Sequence, residues 1–293
     1  MSPSRPPARI AFQGELGAYS HLACLEVYPD LESCPCPSFD DAFAAVSDGR
    51  AVLAMIPIEN TLGGRVADIH HLLPHSSLHI VDEHYQAVHH CLLGIPGAVL
   101  EDLERVESHV QALAQCRAFL RRHGLRPVAT ADTAGAAREV AERGTRDCGA
   151  LASRLAAEIY GLEPIAENVQ DEAGNTTRFV VMSRERIVPE CASGPVMTSI
   201  LFQVRSVPAA LYKALGGFAT NGVNITKLES YIMDSSFTVA QFYAEFEGHP
   251  GSQPVRNALE ELAFFTTSAR VLGTYPAHSF RRHGAVALPA ASF

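Results

Sequence analysis

The stretch Arg9-Ile10-Ala11-Phe12-Gln13-Gly14-Glu15-Leu16-Gly17-Ala18-Tyr19-Ser20-His21 sets the fold class. Its apolar run, Arg9 to Gln13, breaks into a glycine turn, and Leu22, Ala23, Leu25 and Glu26 beyond it follow helical spacing. A strand, a tight turn and a helix in that order are the unit of an α/β chain. Outward from it the alternation recurs. Val52 to Ile58 is nearly all apolar and reads as a strand buried on both faces. A Gly63-Gly64 turn and an amphipathic Val66, Ile69, Leu72, Leu73 segment follow it. His84 to Leu93 is strand-like, and Val110 to Arg122 reads as one helix closed by Gly124. Leu125 to Thr130 resumes the strand pattern, then a helix from Thr133 to Arg143, a strand from Cys148 to Ala152 and an Ala-rich helix from Ser153 to Tyr160. Two α/β lobes account for this series. A polar turn, Asp171 to Asn175, then feeds an apolar strand, Thr176 to Met182.

Beyond a linker at Pro189 to Pro195 the pattern changes to strand (Thr198 to Arg205), helix (Pro208 to Thr220), strand (Asn224 to Met233), strand (Phe237 to Phe246), helix (Pro254 to Phe264) and strand (Ala269 to Tyr275). That order, βαββαβ, is ferredoxin-like. At roughly 150 residues per domain, a chain of 293 residues holds two or three such units.

Composition narrows the function. Lys+Arg 23 against Asp+Glu 32 gives 23 − 32 = −9, with no basic block, so nothing draws the chain to nucleic acid or an anionic membrane. Any anionic ligand must be held locally. The longest apolar run, Ala51 to Ile56, falls far short of the roughly 20 residues that span a bilayer. Residues 1–8, rich in Pro and Ser, read as a disordered leader without a signal-peptide core, which places the protein in the cytoplasm.

Seven cysteines, an odd count without paired metal-ligand spacing, read as reduced thiols, with Cys34 and Cys36 in a strand. His70, His71, His75, His79, His84, His89 and His90 crowd one region, but Pro74 interrupts the helical spacing that would stack ligands, and they read as solvated or core side chains. Lys213 and Lys227 are the only lysines, so Schiff-base chemistry in the α/β lobes is excluded. Gly-x-Ser-x-Gly, His-Glu-x-x-His and GxGxxG are absent, which argues against α/β-hydrolases, zincins and dinucleotide enzymes. A site of hydroxyls, amides and arginine, needing neither metal nor organic cofactor, is what remains. Arginine suits carboxylate capture, and Arg178 on a polar strand entry is the best placed.

Five segments, in order, carry a resemblance. They are Phe12 to Ser20; Pro57-Ile58-Glu59-Asn60-Thr61-Leu62-Gly63-Gly64-Arg65-Val66; Ser108-His109 with Gln111, Ala112, Leu113, Gln115 and Cys116; Ala150 to Leu162; and Asn175-Thr176-Thr177-Arg178-Phe179. Together they resemble prephenate dehydratase with a C-terminal ACT regulatory domain, over nearly the whole chain. The resemblance implies a catalytic domain at 9–185 shaped like a type II periplasmic binding protein. Lobe 1 would be about 9–83 with 169–185, and lobe 2 about 84–168, the site lying in their cleft. It further implies an ACT domain at 198–276, a tail at 277–293, and a homodimer or homotetramer.

The implied reaction turns prephenate into phenylpyruvate, water and carbon dioxide, without metal or cofactor. Thr177 would aim a hydroxyl at the departing oxygen. Arg178 would anchor a carboxylate or brace its strand, and Asn60, Thr61, Ser108 and Gln115 would hydrogen-bond substrate. Glu59 would orient donors, Ser20 and the glycine turn would present a helix terminus, and Phe179 would form an apolar wall. L-Phenylalanine, the implied effector, would meet Ala210, Leu211, Asn221, Gly222, Val223, Asn224, Ile225, Glu229 and Ser230. Two positions depart from the ACT pattern: Ala209 stands where a glycine is usual, and Tyr231-Ile232 where Arg-Pro is usual. Arogenate as substrate, or a non-catalytic amino-acid-sensing or solute-binding role, are the competing readings.

Overall fold

The computed structural model describes residues 7–191, 194–232 and 240–283. Most of the expected leader, the start of the strand expected at Phe237, and the tail from 284 onward lie outside them. The chain forms two compact units, Met1–Ile69 with His84–Phe179, and His70–Glu83 with Val180–Phe293.

The first unit opens with β1 (Arg9–Gln13), α1 (Tyr19–Val27), β2 (Glu32–Cys36), α2 (Phe39–Ser47), β3 (Leu53–Asn60), β4 (Gly64–Arg65), α3 (Ala67–Leu72) and β5 (His79–Ala87). There follow β6 (Cys91–Gly94), β7 (Arg105–His109), α4 (Val110–Gln115), α5 (Arg117–Arg122), β8 (Arg126–Thr130), α6 (Thr133–Arg143), β9 (Cys148–Ala152), α7 (Arg154–Tyr160), β10 (Glu163–Ala166) and β11 (Thr176–Ser183). Two sheets result, ordered β2-β1-β3-β11-β5 and β10-β6-β9-β7-β8. Strand β11 returns from the far end of the series to lie between β3 and β5, the two-lobed arrangement that the resemblance implies.

Strand period explains how the second sheet is sandwiched. Leu92 and Leu151 pack with Leu113 and Leu120 on one face, while Cys91, Leu93, Ala150 and Ala152 pack with Val140 and Ala156 on the other. Cys34 and Cys36 sit in β2 as unbridged thiols.

Two expected elements are divided in the structure. The segment His84 to Leu93 is not one strand: β5 ends at Ala87, β6 begins at Cys91 in the other sheet, and the Val88 N–H donates to the Asn175 carbonyl at 2.9 Å where the chain changes lobe. The helix expected over Val110 to Arg122 breaks at Cys116, because the Asp171 carboxylate accepts the Ala118 N–H at 2.8 Å and gives α5 its own start. Helix α2, capped by Ser38 on the Asp41 N–H at 3.1 Å, and strand β10 were not among the expected elements.

The second unit holds β12 (Val196–Val204), α8 (Ala210–Thr220), β13 (Ile225–Ile232), β14 (Ala240–Glu247), α9 (Gln253–Phe265), β15 (Thr266–Pro276) and α10 (Phe280–His283). Its antiparallel sheet runs β13-β14-β12-β15, the order that βαββαβ connectivity calls for. One face carries Ile200, Phe202, Phe242, Ala244 and Phe246 against Phe218 and Leu262 of the helices. The other face is polar yet buried: Ser199, Glu245 and Tyr275 are shielded from solvent, and Arg281 pairs with both Glu245 (3.1 Å) and Glu83 (2.7 Å). Gly273 lies so close to the Ile80 carbonyl that no side chain fits there. Among the described residues, no helix is long and apolar enough to cross a membrane.

Candidate active site

A cleft of about 600 Å³ opens in the first unit, and both sheets contribute to its walls. The β1–α1 turn brings Gly14, Ala18 and Ser20 to it, so the first turn of α1 lends the positive end of its dipole. Two left-handed glycines shape that turn. Gly17, at φ +91°, approaches α7 so closely that an added Cβ would lie 2.8 Å from the Ala156 Cα, and its carbonyl accepts the Ser153 hydroxyl at 2.5 Å.

At the cleft's centre a run of side chains is joined by hydrogen bonds. The Asn60 amide nitrogen donates to Thr177 Oγ1 at 3.0 Å and to Asn175 Oδ1 at 2.7 Å. Asn175 Nδ2 donates to Gln115 Oε1 at 2.8 Å, and His90 Nε2 lies 2.9 Å from the same oxygen. His90 Nδ1 in turn lies 3.0 Å from the Tyr19 hydroxyl, which donates to the His89 carbonyl at 2.6 Å. Burial lowers the His90 pKa and pushes the Tyr19 phenol well above its ordinary value, so both are neutral near pH 7.

The amide of Asn60 has one orientation only. Its Oδ1 accepts the backbone N–H groups of Leu62 (3.0 Å) and Gly63 (2.7 Å), which can do nothing but donate. Its Nδ2 therefore faces Thr177, and Thr177 Oγ1 accepts there. The threonine's own proton is left for a ligand in the cleft.

Thr177, Phe179, Asn60, Ser20 and Gln115 line the cleft, as the sequence reading requires of substrate-facing residues. Four other named residues do not. Arg178 is buried, 3% exposed, with Nη1 2.9 Å from Glu59 Oε1 and its guanidinium 5.9 Å from the Tyr85 ring centroid, which ties β11 to β3. Glu59 is the other half of that ion pair. Ser108 is fully buried, and its hydroxyl donates to the Leu151 carbonyl at 2.6 Å on the next strand. Thr61 clips the 174–176 turn, donating to the Gly174 carbonyl at 3.1 Å and accepting the Thr176 N–H at 2.9 Å.

Among the described residues, the arginine that does reach the cleft is Arg65, beside Asp68, His109 and Asp132. It stands in the Gly63-Gly64-Arg65 run that the resemblance rests on, but strand periodicity gave no sign of its direction. The β3–β4 hairpin, pairing Glu59 with Arg65 and Asn60 with Gly64, supplies it. Among the described residues no three His, Cys, Asp or Glu side chains gather to hold a metal ion.

A sequence model of prephenate dehydratase matches residues 10–187. The chain belongs to the prephenate dehydratase family. A bifunctional N-acyl-homoserine lactone acylase/prephenate dehydratase from Komagataeibacter europaeus is 52% identical over 273 residues, covering 93% of this chain and 97% of the relative. Arogenate dehydratase 2 of Petunia hybrida is 43% identical over 285 residues, covering 92% of this chain and 72% of that protein. The crystal structure of a prephenate dehydratase in complex with L-Phe from Arthrobacter aurescens superposes with a TM-score of 0.84 at 29% identity, over 92% of this chain and 90% of that one. As a member of the prephenate dehydratase family, the chain is a lyase of the dehydratase class, and the cleft around Thr177 is where its geometry concentrates donors.

Proposed function

We propose that the chain converts prephenate to phenylpyruvate, carbon dioxide and water. The ring carboxylate departs as carbon dioxide, its bonding pair aromatises the ring, and the C4–O bond breaks as the hydroxyl leaves with a proton as water. Aromatisation supplies the driving force, so the protein needs positioning and help for the leaving group. The observation that carries this reading is the polarity of Thr177: with its oxygen accepting from Asn60, its proton is the part free to meet the departing oxygen. A donor aimed at charge that grows only in the transition state raises turnover rather than ground-state binding. Arg65 and the α1 terminus face the dianion, Phe179 supports the ring, and Arg178 with Glu59 braces the Thr177 strand. Ser108 and Thr61 serve the same framework.

Arogenate carries an ammonium where prephenate has a keto oxygen, and Asp68 and Asp132 in the cleft favour it as a second substrate. Comparing kcat/KM on the two decides between them.

The catalytic domain on this reading spans 9–185, with lobes at about 9–83 plus 169–185 and about 84–168. The unit at 198–276 is an ACT domain that senses L-phenylalanine in a cytoplasmic homodimer or homotetramer. The expected effector residues gather at the α8 ends and along β13. Ala210 and Leu211 start α8, the Asn221 side chain closes it by donating to the Gly217 carbonyl at 2.8 Å, and Glu229 pairs with Lys227 at 3.3 Å.

One experiment tests the whole. Wild type should turn over prephenate and respond to millimolar L-phenylalanine, while Thr177→Val, which keeps shape and loses the hydroxyl, should lose about 10²-fold or more in kcat. Turnover near wild type in that variant removes Thr177 from the chemistry, and an enzyme indifferent to phenylalanine removes the ACT assignment.

A further inference from the structure

We propose that His90 is a positioning residue for the Thr177 hydroxyl, acting through a one-way relay of amides. Its direction follows from donors and acceptors alone. Backbone N–H groups of Leu62 and Gly63 fix Asn60 Oδ1 as acceptor, so Asn60 Nδ2 donates onward and Asn175 Oδ1 must accept. Asn175 Nδ2 then donates, and Gln115 Oε1 must accept. His90 Nε2 faces that oxygen at 2.9 Å, so it must carry the proton. A neutral imidazole has one N–H, which leaves Nδ1 as an acceptor turned to the Tyr19 hydroxyl at 3.0 Å.

Each end of the relay is anchored in buried structure. His90 is 2% exposed and its own N–H donates to Gln170 Oε1 at 3.0 Å, while Asn175 is 4% exposed and the Asn60 end rests on the backbone. With the opposite tautomer, or without a donor at position 90, Gln115 would lose one of the two donors on its oxygen. Its amide could then turn, and Asn175 would no longer present Oδ1 squarely to Asn60. The loss reaches Thr177 as a less well-held acceptor contact, without any residue of the relay beyond Asn60 touching it.

This inference rests on the reading of Thr177 as the donor to the leaving group, and two measurements separate the two ideas. The first needs no substrate. Nitrogen-15 NMR of the histidine rings should show His90 as the Nε2–H tautomer. In Asn60→Asp, whose carboxylate only accepts, Asn175 and Gln115 must both turn over, and His90 should switch to the Nδ1–H tautomer. The same tautomer in both proteins, or an imidazole averaging over both forms in the wild type, overturns the relay.

The second is a double-mutant cycle on turnover of prephenate. His90→Phe should lower kcat about fivefold to tenfold, the weight of one net hydrogen bond, with little change in KM. In the Thr177→Val background the same change should cost nothing further in kcat. An equal loss in both backgrounds would make His90 a structural residue only. His90→Gln, which retains a side-chain N–H, should recover most of the loss, and failure to recover with an unchanged fold counts against the proposal. A wild type inactive on prephenate would overturn the functional reading, and the tautomer result would still decide the relay.

Discussion

Replacing Gly17 by alanine tests how tightly the β1–α1 turn is set against α7. Two costs add. The φ of +91° lies in the left-handed half of the map, where an L side chain costs about 1–2 kcal/mol. The new Cβ would also meet Ala156 Cα at 2.8 Å and Cβ at 2.9 Å. Neither atom is the far end of a flexible side chain, so turn and helix must separate, at the roughly 1–3 kcal/mol typical of overpacking. Separation also strains the Ser153–Gly17 bond of 2.5 Å and the bond of 2.8 Å from the Tyr160 hydroxyl to the Leu16 carbonyl. The expected destabilisation is about 2–5 kcal/mol, read as a shift in the urea midpoint at constant slope. Because Ala18 and Ser20 line the cleft, KM for the substrate should rise as well. Ala156→Gly in the same chain should restore the steric part and leave the backbone part, about 1–2 kcal/mol. A single Gly17→Ala variant within about 0.5 kcal/mol of wild type, the range of an ordinary surface change, would show that the close approach is not a constraint.

The remaining predictions concern backbone strain in the second unit and acid stability in the first. Ala209 precedes α8 at φ +58°, so Ala209→Gly should stabilise by about 1 kcal/mol after the glycine's own entropy cost; an unchanged or lowered denaturation midpoint would contradict this. His21 is buried, its Nδ1 accepts the Gly17 N–H at 3.0 Å, and burial lowers its pKa from 6.5. A base with a depressed folded pKa contributes stability that is full above 6.5 and is lost as pH falls through the folded value. Unfolding free energy should therefore decline below that pH, and His21→Gln should flatten part of the decline; identical pH profiles for the two proteins would refute it.

Much of the fold follows from local pattern. Helix α6 occupies Thr133–Arg143, the span expected from spacing, because Asp132 caps it through the Gly135 N–H at 2.7 Å and Gly144 ends it in a left-handed turn. The break at Cys116 has no such local signal. It depends on Asp171, which is distant in sequence and adjacent in space. The division of 84–93 between two sheets escaped the pattern for a similar reason: both halves are apolar strands, and only the crossing at Val88 separates them.

For the cleft, the residue types were legible and their directions were not. Residues 57–66 and 175–179 named the hydroxyls, amides and arginines, but strand alternation turns neighbouring side chains to opposite faces. Thr177 and Phe179 thus line the cleft while Arg178 between them is buried on Glu59.

By itself the sequence determined the α/β alternation, the βαββαβ unit and the chemical inventory of the cleft, because periodicity, caps and glycine turns act within a few residues of one another. Only the tertiary structure decided which arginine meets the cleft, which hydroxyls serve the framework, and which way the proton of each amide and imidazole points. Those choices are made by donors and acceptors brought together across the two sheets, from Leu62 to His90, and a hydrogen bond has a direction only once both of its partners are in place.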